Sequence, residues 1–310
     1  MAFSAKDVVA LRAKTGCGMM DCKKALVASN GNLDKAIDFL REKGLAAAVK
    51  KAGRIAAEGV SYAVTNEAGT AGVVIEVNSE TDFVAKNALF RDFVKTCAGT
   101  VLACKPADVD ALLKCKAVGS DETVDALLKK IILKIGENIK IRRFQLLEGT
   151  IGAYIHADGK IGVITSFDTT PEIAAKPEFK EYAKNICMQI AAMNPLYVSK
   201  EDVPASVLDY EKEILMSQIE NDDKLKNKPD AVKEKMVEGR IKKYFDTNCL
   251  IEQQYVKEED QKVGRYTENT SKELGGSIKI VSFVKYERGE GLEKKEENFA
   301  EEIDKLVKGS

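Results

Sequence analysis

The amino-acid sequence predicts an α+β chain, and three patterns carry that prediction. Its first 44 residues divide at glycines into three short stretches of helical spacing. An order of hairpin, polar joint and helix then occurs at 60–103 and again at 150–193, as in a duplicated α+β unit. Between the second unit and the final strand lies a pair of helical segments with densely charged outer faces, broken at Asn227-Lys228-Pro229. Such a pair reads as an antiparallel helical hairpin protruding from the body.

In the N-terminal module, 1–44, Ser4 with Asp7 resembles a capping pair before VVALRAKTG, with Asp in place of the usual Glu. Gly16 is the expected stop of the first helix. MMDCKKALVASNG runs to Gly31, and NLDKAIDFLREKG runs from an Asn32 cap to Gly44. Val8, Leu11, Met20, Ala25, Leu26, Leu33, Ile37 and Leu40 recur at three- and four-residue spacing and form the expected core. A module of about 40 residues is near the lower limit for an independent core. Residues 45–58, LAAAVKKAGRIAAE, carry few bulky groups and read as a partly helical linker. Over 1–58, 11 Lys and Arg stand against 6 Asp and Glu, a local charge of +5.

From Gly59 the pattern turns to strands. VSYAVTN, a turn at EAGT and AGVVIEVN make a hairpin, followed by the joint ETDFVAKN and an amphipathic helix to about Ala103. Helices are expected near 107–116 and 121–135, and IKIRRFQLL (Ile139–Leu147) alternates like a strand, which completes the first subdomain over 59–148. TIGAYIHADGKIGVITSF is a second hairpin, with Asp158-Gly159 as a two-residue turn signal. It opens the second subdomain, 149–205 with 262–286, around the inserted arm at 206–261. In the arm, 206–226 and 230–246 both follow helical spacing. The strand SIKIVSFVKYE precedes a helical ending, the expected C-terminal module over 287–310.

Bulk chemistry excludes several function classes. Lys and Arg number 48 against 49 Asp and Glu, so a global polyanion-binding role is not expected. No run approaches the roughly 18–20 apolar residues of a membrane span, and charges interrupt the N-terminal apolar stretch, so a cytoplasmic protein is expected. The seven Cys include no CxxC pair and have no His cluster beside them, and no metal site or cofactor is expected. The single histidine, His156, reads as a plain strand residue. No G-x-x-x-x-G-K-[ST] loop is present, so no direct nucleotide binding is expected. An enzyme built on a thiol needs a base beside it. Cys22, followed by Lys23 and Lys24, is the best case, but a helical Cys of this sort is usually structural. A recruiter of RNA or ubiquitin-like proteins is a further class, against which the strands interleave few aromatics with Lys or Arg.

Several stretches, in order, resemble one family: bacterial elongation factor Ts, the guanine-nucleotide exchange factor of elongation factor Tu. They are LRAKTGCGMMDCKKAL (Leu11–Leu26), ETDFVAKN (Glu80–Asn87), KIGENIKIRR (Lys134–Arg143), MVEGRIKKY (Met236–Tyr244), CLIEQQYV (Cys249–Val256) and GEGLEK (Gly289–Lys294). The resemblance implies a ubiquitin-associated-type N-terminal module, a core of two related α+β subdomains, and a C-terminal segment that packs on the partner's nucleotide-binding domain. It implies a protein that is not an enzyme in the chemical sense. It implies elongation factor Tu as the partner, with GDP release from it as the function; no nucleic acid and no membrane are expected to take part. A heterotetramer and a homodimer are both compatible with it.

The resemblance also carries residues. Thr81, Asp82, Phe83 and Val84 match the segment that invades the partner near its bound Mg²⁺. Arg12, Met19 and Met20 are contact candidates in the N-terminal module, where adjacent methionines suit an adaptable surface. Gln189, in CMQIAAMNP, stands where many members carry His; it keeps a donor and an acceptor but cannot charge. Residue chemistry alone leaves a second reading of the joint open, in which Asp82 caps the next helix and Phe83 staples it to the core.

Overall fold

The computed structural model describes residues 3–15 and 17–293. Its first three helices are α1 (Ala5–Thr15), α2 (Met19–Ala28) and α3 (Leu33–Lys51). The Ser4 amide and hydroxyl both donate to the Asp7 carboxylate, at 2.7 and 2.8 Å, so Asp does take the place of Glu in this cap. Asn32 caps α3 by accepting from the Lys35 amide at 3.0 Å. Leu11, Cys22, Ala25, Leu26 and Ala36 are fully buried between the helices. Met20, expected in that core, instead faces solvent, because Cys22, Ala25 and Leu26 set the inward side of α2. Gly16, the expected stop of α1, lies outside the described residues.

The first sheet has the order β1-β2-β3, all antiparallel: β1 (Glu58–Thr65), β2 (Ala71–Ser79) and β3 (Lys140–Glu148). The Asn66 side chain closes the β1–β2 turn by accepting from the amides of Thr70 and Ala71. Between β2 and β3 come α4 (Asp82–Ala85), α5 (Ala88–Cys104), α6 (Val109–Lys114) and α7 (Val124–Ile135). Gly59, at φ 123°, lies so close to β2 that a Cβ would sit 2.1 Å from the Val77 carbonyl oxygen, so only glycine fits.

A correction concerns α3, which continues through Gly44, where a helix stop was expected, and takes the helical part of the expected linker as far as Lys51. Gly44 is buried against α7, and a Cβ there would lie 3.4 Å from the Lys129 carbonyl oxygen. The glycine lies inside the helix, packed against α7, and does not terminate it. Leu133 of α7 packs on the core of the first three helices, so α3 and α7 tie that module to the first subdomain.

The second sheet has the order β4-β5-β8, with β4 (Thr150–His156) and β5 (Ile161–Asp168) forming its hairpin and β8 (Lys279–Glu287) its third strand. The expected two-residue turn is longer: Ala157, Asp158 and Gly159 all adopt positive φ. Tertiary contacts impose this. Arg91 of α5 grips the Asp158 carboxylate at 2.7 and 2.5 Å, and Gly159 sits directly over Val60. After β5 come α8 (Pro171–Ala174), α9 (Pro177–Met193), α10 (Ala205–Glu220), α11 (Asp230–Asn248), β6 (Gln254–Tyr255), β7 (Glu258–Lys262), α12 (Val263–Leu274) and β8 (Lys279–Glu287). The remainder of the expected C-terminal module, 294–310, lies outside the described residues.

The two sheets pack face to face through Ala63, Val74, Ile151 and Ile164. The outer face of the first carries α5, through Val73, Ile75, Val77, Phe90 and Val94; that of the second carries α9, through Val163, Phe167, Phe179 and Ile186. Helix, sheet, sheet and helix are therefore stacked in four layers. Both faces of β2 are covered, which explains why VVIEVN shows no alternation and is buried throughout. The two units correspond closely. Thr81 caps α4 and Thr170 caps α8, and α5 and α9 both end on a left-handed residue, Lys105 and Asn194.

The arm is α10 and α11, held by a thin core of Ile219, Val237 and Ile241. α10 ends at Glu220, earlier than its spacing suggests, because Asn221 and Asp222 turn their side chains onto the backbone.

Candidate partner-binding site

The joint after β2 is a small, heavily braced platform. Ser79 Oγ donates to the Thr81 carbonyl at 3.0 Å. The amides of Glu80 and Thr81 both donate to Glu137 Oε2 at 3.1 Å, and Thr81 Oγ1 donates to Glu137 Oε1 at 2.7 Å. In return the Asn138 amide donates to Glu80 Oε1 at 2.5 Å, and Arg54 Nη1 reaches the same oxygen at 3.5 Å. Thr81 Oγ1 accepts the Val84 amide, starting α4, and Asn87 starts α5 by accepting the Leu89 amide at 2.9 Å.

On this platform the four predicted residues separate by role. Val84 is buried and roots the turn in the core of the first subdomain. Thr81, not Asp82, is the cap. Asp82 pairs with Lys86 at 2.7 Å, and Lys86 holds its carboxyl below the usual range, so it is ionised at neutral pH. Phe83 is 81% exposed and staples nothing. Its ring is therefore not needed by the core of the first subdomain and is open to contact from outside.

The N-terminal module presents a second apolar patch. Met19 and Met20 are 43% and 61% exposed, Arg12 is exposed, and Val9 and Val27 are also turned outward. Gln189 is placed differently from its expectation as a contact: it is fully buried in α9 and presents no surface to a partner. Its amide nitrogen donates to Gln253 Oε1 at 3.2 Å and to the Gln254 carbonyl at 3.0 Å, and its oxygen accepts the Val256 amide at 2.9 Å. These bonds hold the base of the arm. Gln253, also buried, donates to the Thr247 carbonyl at the end of α11 at 2.7 Å.

Two groups escaped the sequence reading. Glu137 braces the Phe83 platform; it falls within KIGENIKIRR, just after Gly136, the left-handed residue that ends α7, but nothing in that stretch pointed to Thr81. Glu76, fully buried between the sheets, accepts from Arg142, Arg143, Asn78 and the Gly289 amide. It thereby fastens the end of the second sheet to the first.

His156 and Cys22, the two other reactive groups singled out in the sequence, lie apart from this platform. His156 is an exposed strand end with Tyr154 Oη at 3.1 Å from its Nδ1. Cys22 is buried, and that burial pushes its thiol up, against the requirement of a nucleophile. Among the described residues no group of three or more His, Cys, Asp or Glu is placed to hold a metal, and no helix is long and apolar enough to cross a membrane.

The family model described as Elongation factor TS matches residues 80–290, from the braced joint to the Glu76 clasp. The chain belongs to the elongation factor Ts family. It is 47% identical over 306 residues to elongation factor Ts of Symbiobacterium thermophilum, covering 97% of each chain. It is 46% identical over 311 residues to that of Clostridium kluyveri, covering 99% of each. The relative from Clostridium perfringens is 47% identical over 307 residues, covering 98% of this chain and 99% of its own. Membership makes the chain an elongation factor of protein biosynthesis, and it spans nearly the full length of these relatives.

Proposed function

We propose that the chain binds elongation factor Tu in its GDP state and promotes GDP release by disturbing the Mg²⁺ and phosphate site, so that GTP rebinds. One observation carries this reading: Phe83 projects into solvent from a joint whose neighbours are all fixed by internal bonds. A rigid apolar wedge of this kind does work on what it enters. Mg²⁺ demands near-ideal octahedral geometry at roughly 2.0–2.1 Å, so a shift of about 1 Å in its supporting elements weakens it sharply. Burying the Phe83 ring in the partner yields about 1.5–3 kcal/mol toward that shift.

The other predicted residues take parts around it. Thr81 and Val84 fix the wedge, and Asp82, ionised and half-buried, is free to trade Lys86 for a donor on the partner. Arg12, Met19 and Met20 form a second contact, steered by the local charge of the N-terminal segment. Gln189 acts indirectly, by setting the base of the arm. The chain itself holds neither nucleotide nor metal in this scheme; the ion belongs to the partner. Exchange is then negative coupling, in which factor and GDP weaken each other by the same ratio.

Stopped-flow release of a fluorescent GDP analogue from elongation factor Tu tests the reading. Release should accelerate and saturate as the factor is added, and excess GDP should dissociate the complex. A release rate equal to the spontaneous one would overturn it. Light scattering of the complex distinguishes one copy of each chain from a heterotetramer.

A further inference from the structure

We infer that Glu137 is a positioning residue for exchange: it aims the Phe83 wedge and links it mechanically to the N-terminal module. The inference rests on the wedge reading above and adds a residue to it. Three donors from adjacent groups, the Glu80 amide, the Thr81 amide and the Thr81 hydroxyl, converge on this one carboxylate. A carboxylate that takes several amide and hydroxyl donors is a strong, directional anchor. Thr81 is also the cap that sets the start of α4, and Phe83 is the second residue of that helix, so the direction of the ring follows from where Thr81 is held.

The second copy of the unit serves as an internal control. There Thr170 caps α8 in the same way, through the Ile173 amide, and the equivalent of Phe83 is the charged Glu172. Among the described residues no carboxylate from a distant element reaches the Thr170 hydroxyl or amide. The second joint is held instead by the Thr169 hydroxyl, which donates to the Ser277 carbonyl at 2.9 Å, so a carboxylate gripping the cap itself belongs only to the joint that carries the exposed aromatic.

Glu137 also stands where force would pass. It follows directly on α7, which packs along α3, and the Asn138 side chain donates to the Arg54 carbonyl at 2.8 Å just beyond α3. The Met19–Met20 patch and Phe83 thus belong to one connected frame whose joint is Glu137.

The test is a double-mutant cycle on stimulated GDP release. Glu137→Ala, which removes all three bonds, should lower the maximal rate at least about tenfold, a change of about 1.4 kcal/mol. The half-saturating concentration should move less than about threefold, since the loss concerns the step rather than uniform binding. Hydrogen exchange at the Glu80 and Thr81 amides should quicken, and Glu137→Gln, which keeps one acceptor oxygen, should retain more of the rate. In a Phe83→Ala background, Glu137→Ala should cost nothing further, because both act through the same ring. An unchanged rate in Glu137→Ala with its amides unprotected would overturn the positioning role, and so would losses that multiply in the double variant. If Phe83→Ala alone leaves release unchanged, the wedge reading itself fails and takes this inference with it. Should Glu137→Ala not fold, Glu137→Gln, which removes the charge and one acceptor oxygen but leaves the Thr81 cap in place, runs the same cycle.

Discussion

Phe83 and Glu172 occupy the same place in the two copies of the core unit, each the second residue of a short helix that opens on a threonine cap. Both are exposed. The position therefore accepts a charged side chain without harm to the fold, and a phenylalanine there needs another reason. Phe83→Glu imports the other copy's solution and should leave the melting temperature within about 1 °C, as surface changes within ±0.5 kcal/mol do. The same variant should slow stimulated GDP release about tenfold to a hundredfold, the scale of one buried aromatic anchor. Thermal melting and stopped-flow release on one preparation separate the two effects.

Gln189 makes the opposite prediction. Its amide is fully buried and satisfied on both ends, so Gln189→Leu, of similar size, leaves the Val256 amide, the Gln254 carbonyl and the Gln253 side chain each short of a partner. Stranding buried polar groups costs about 1–3 kcal/mol apiece, and a loss near 3 kcal/mol in urea unfolding is expected. The Val256 amide should lose exchange protection. Preserved stability would mean that the base of the arm is held by something other than this amide.

What the sequence disclosed, and what it withheld, divides along the range of the interaction involved. The strands of both hairpins and the helices of the arm were legible because their signals are local: β-branched runs bounded by turn residues, or recurrence every three to four residues, need no knowledge of a partner. Gly44 was misread because a helix-stopping glycine and a helix-packing glycine look alike until α7 is laid beside it. Asp158-Gly159 was read as a tight turn, while Arg91, remote in sequence, draws the loop open. Met20 fits the helical stripe, yet one apolar side chain at the edge of a small core can face either way. The exposed Phe83 was legible through its setting in a polar joint. Glu137, which steadies it, was not, since a glutamate after a helix is ordinarily solvated and only the fold brings it to Thr81.

Alkaline pH supplies a third prediction. Burial pushes the Cys187 thiol up to about 12 from an ordinary value of 9.0. Its Sγ also donates to Thr165 Oγ1 at 3.3 Å. A raised folded value means that the unfolded chain releases this proton first as pH climbs. The thiol's stabilising effect is therefore complete below about pH 9 and declines between about pH 9 and 12, by about 1.4 kcal/mol per unit. Cys187→Ala should unfold more easily at neutral pH but lose about one proton's worth of the alkaline slope. Urea midpoints of both proteins across this range check the sign; equal slopes would show that Cys187 is not protected in the native state.

The interface between α3 and α7 supplies the last prediction, through Gly44. Its helical position costs about 1 kcal/mol relative to alanine, so something in the packing must favour glycine or merely tolerate it. The geometry separates these. A methyl at Gly44 would meet the Lys129 carbonyl oxygen at 3.4 Å and Leu133 Cδ2 at 3.9 Å, both at van der Waals distance. Alanine therefore fits, and Gly44→Ala should be neutral or stabilise by up to about 1 kcal/mol through helix propensity and a less flexible unfolded chain. A longer side chain has no room on that line. Gly44→Leu must push α3 off α7 or bend its own helix, at about 1–3 kcal/mol for overpacking. Because α3 carries the N-terminal module and α7 leads to Glu137, the leucine variant should also slow exchange beyond its effect on melting, whereas the alanine variant should not. Measuring melting and GDP release for both variants distinguishes a docked module from a tethered one: on a free tether, leucine at this position would be silent in both assays.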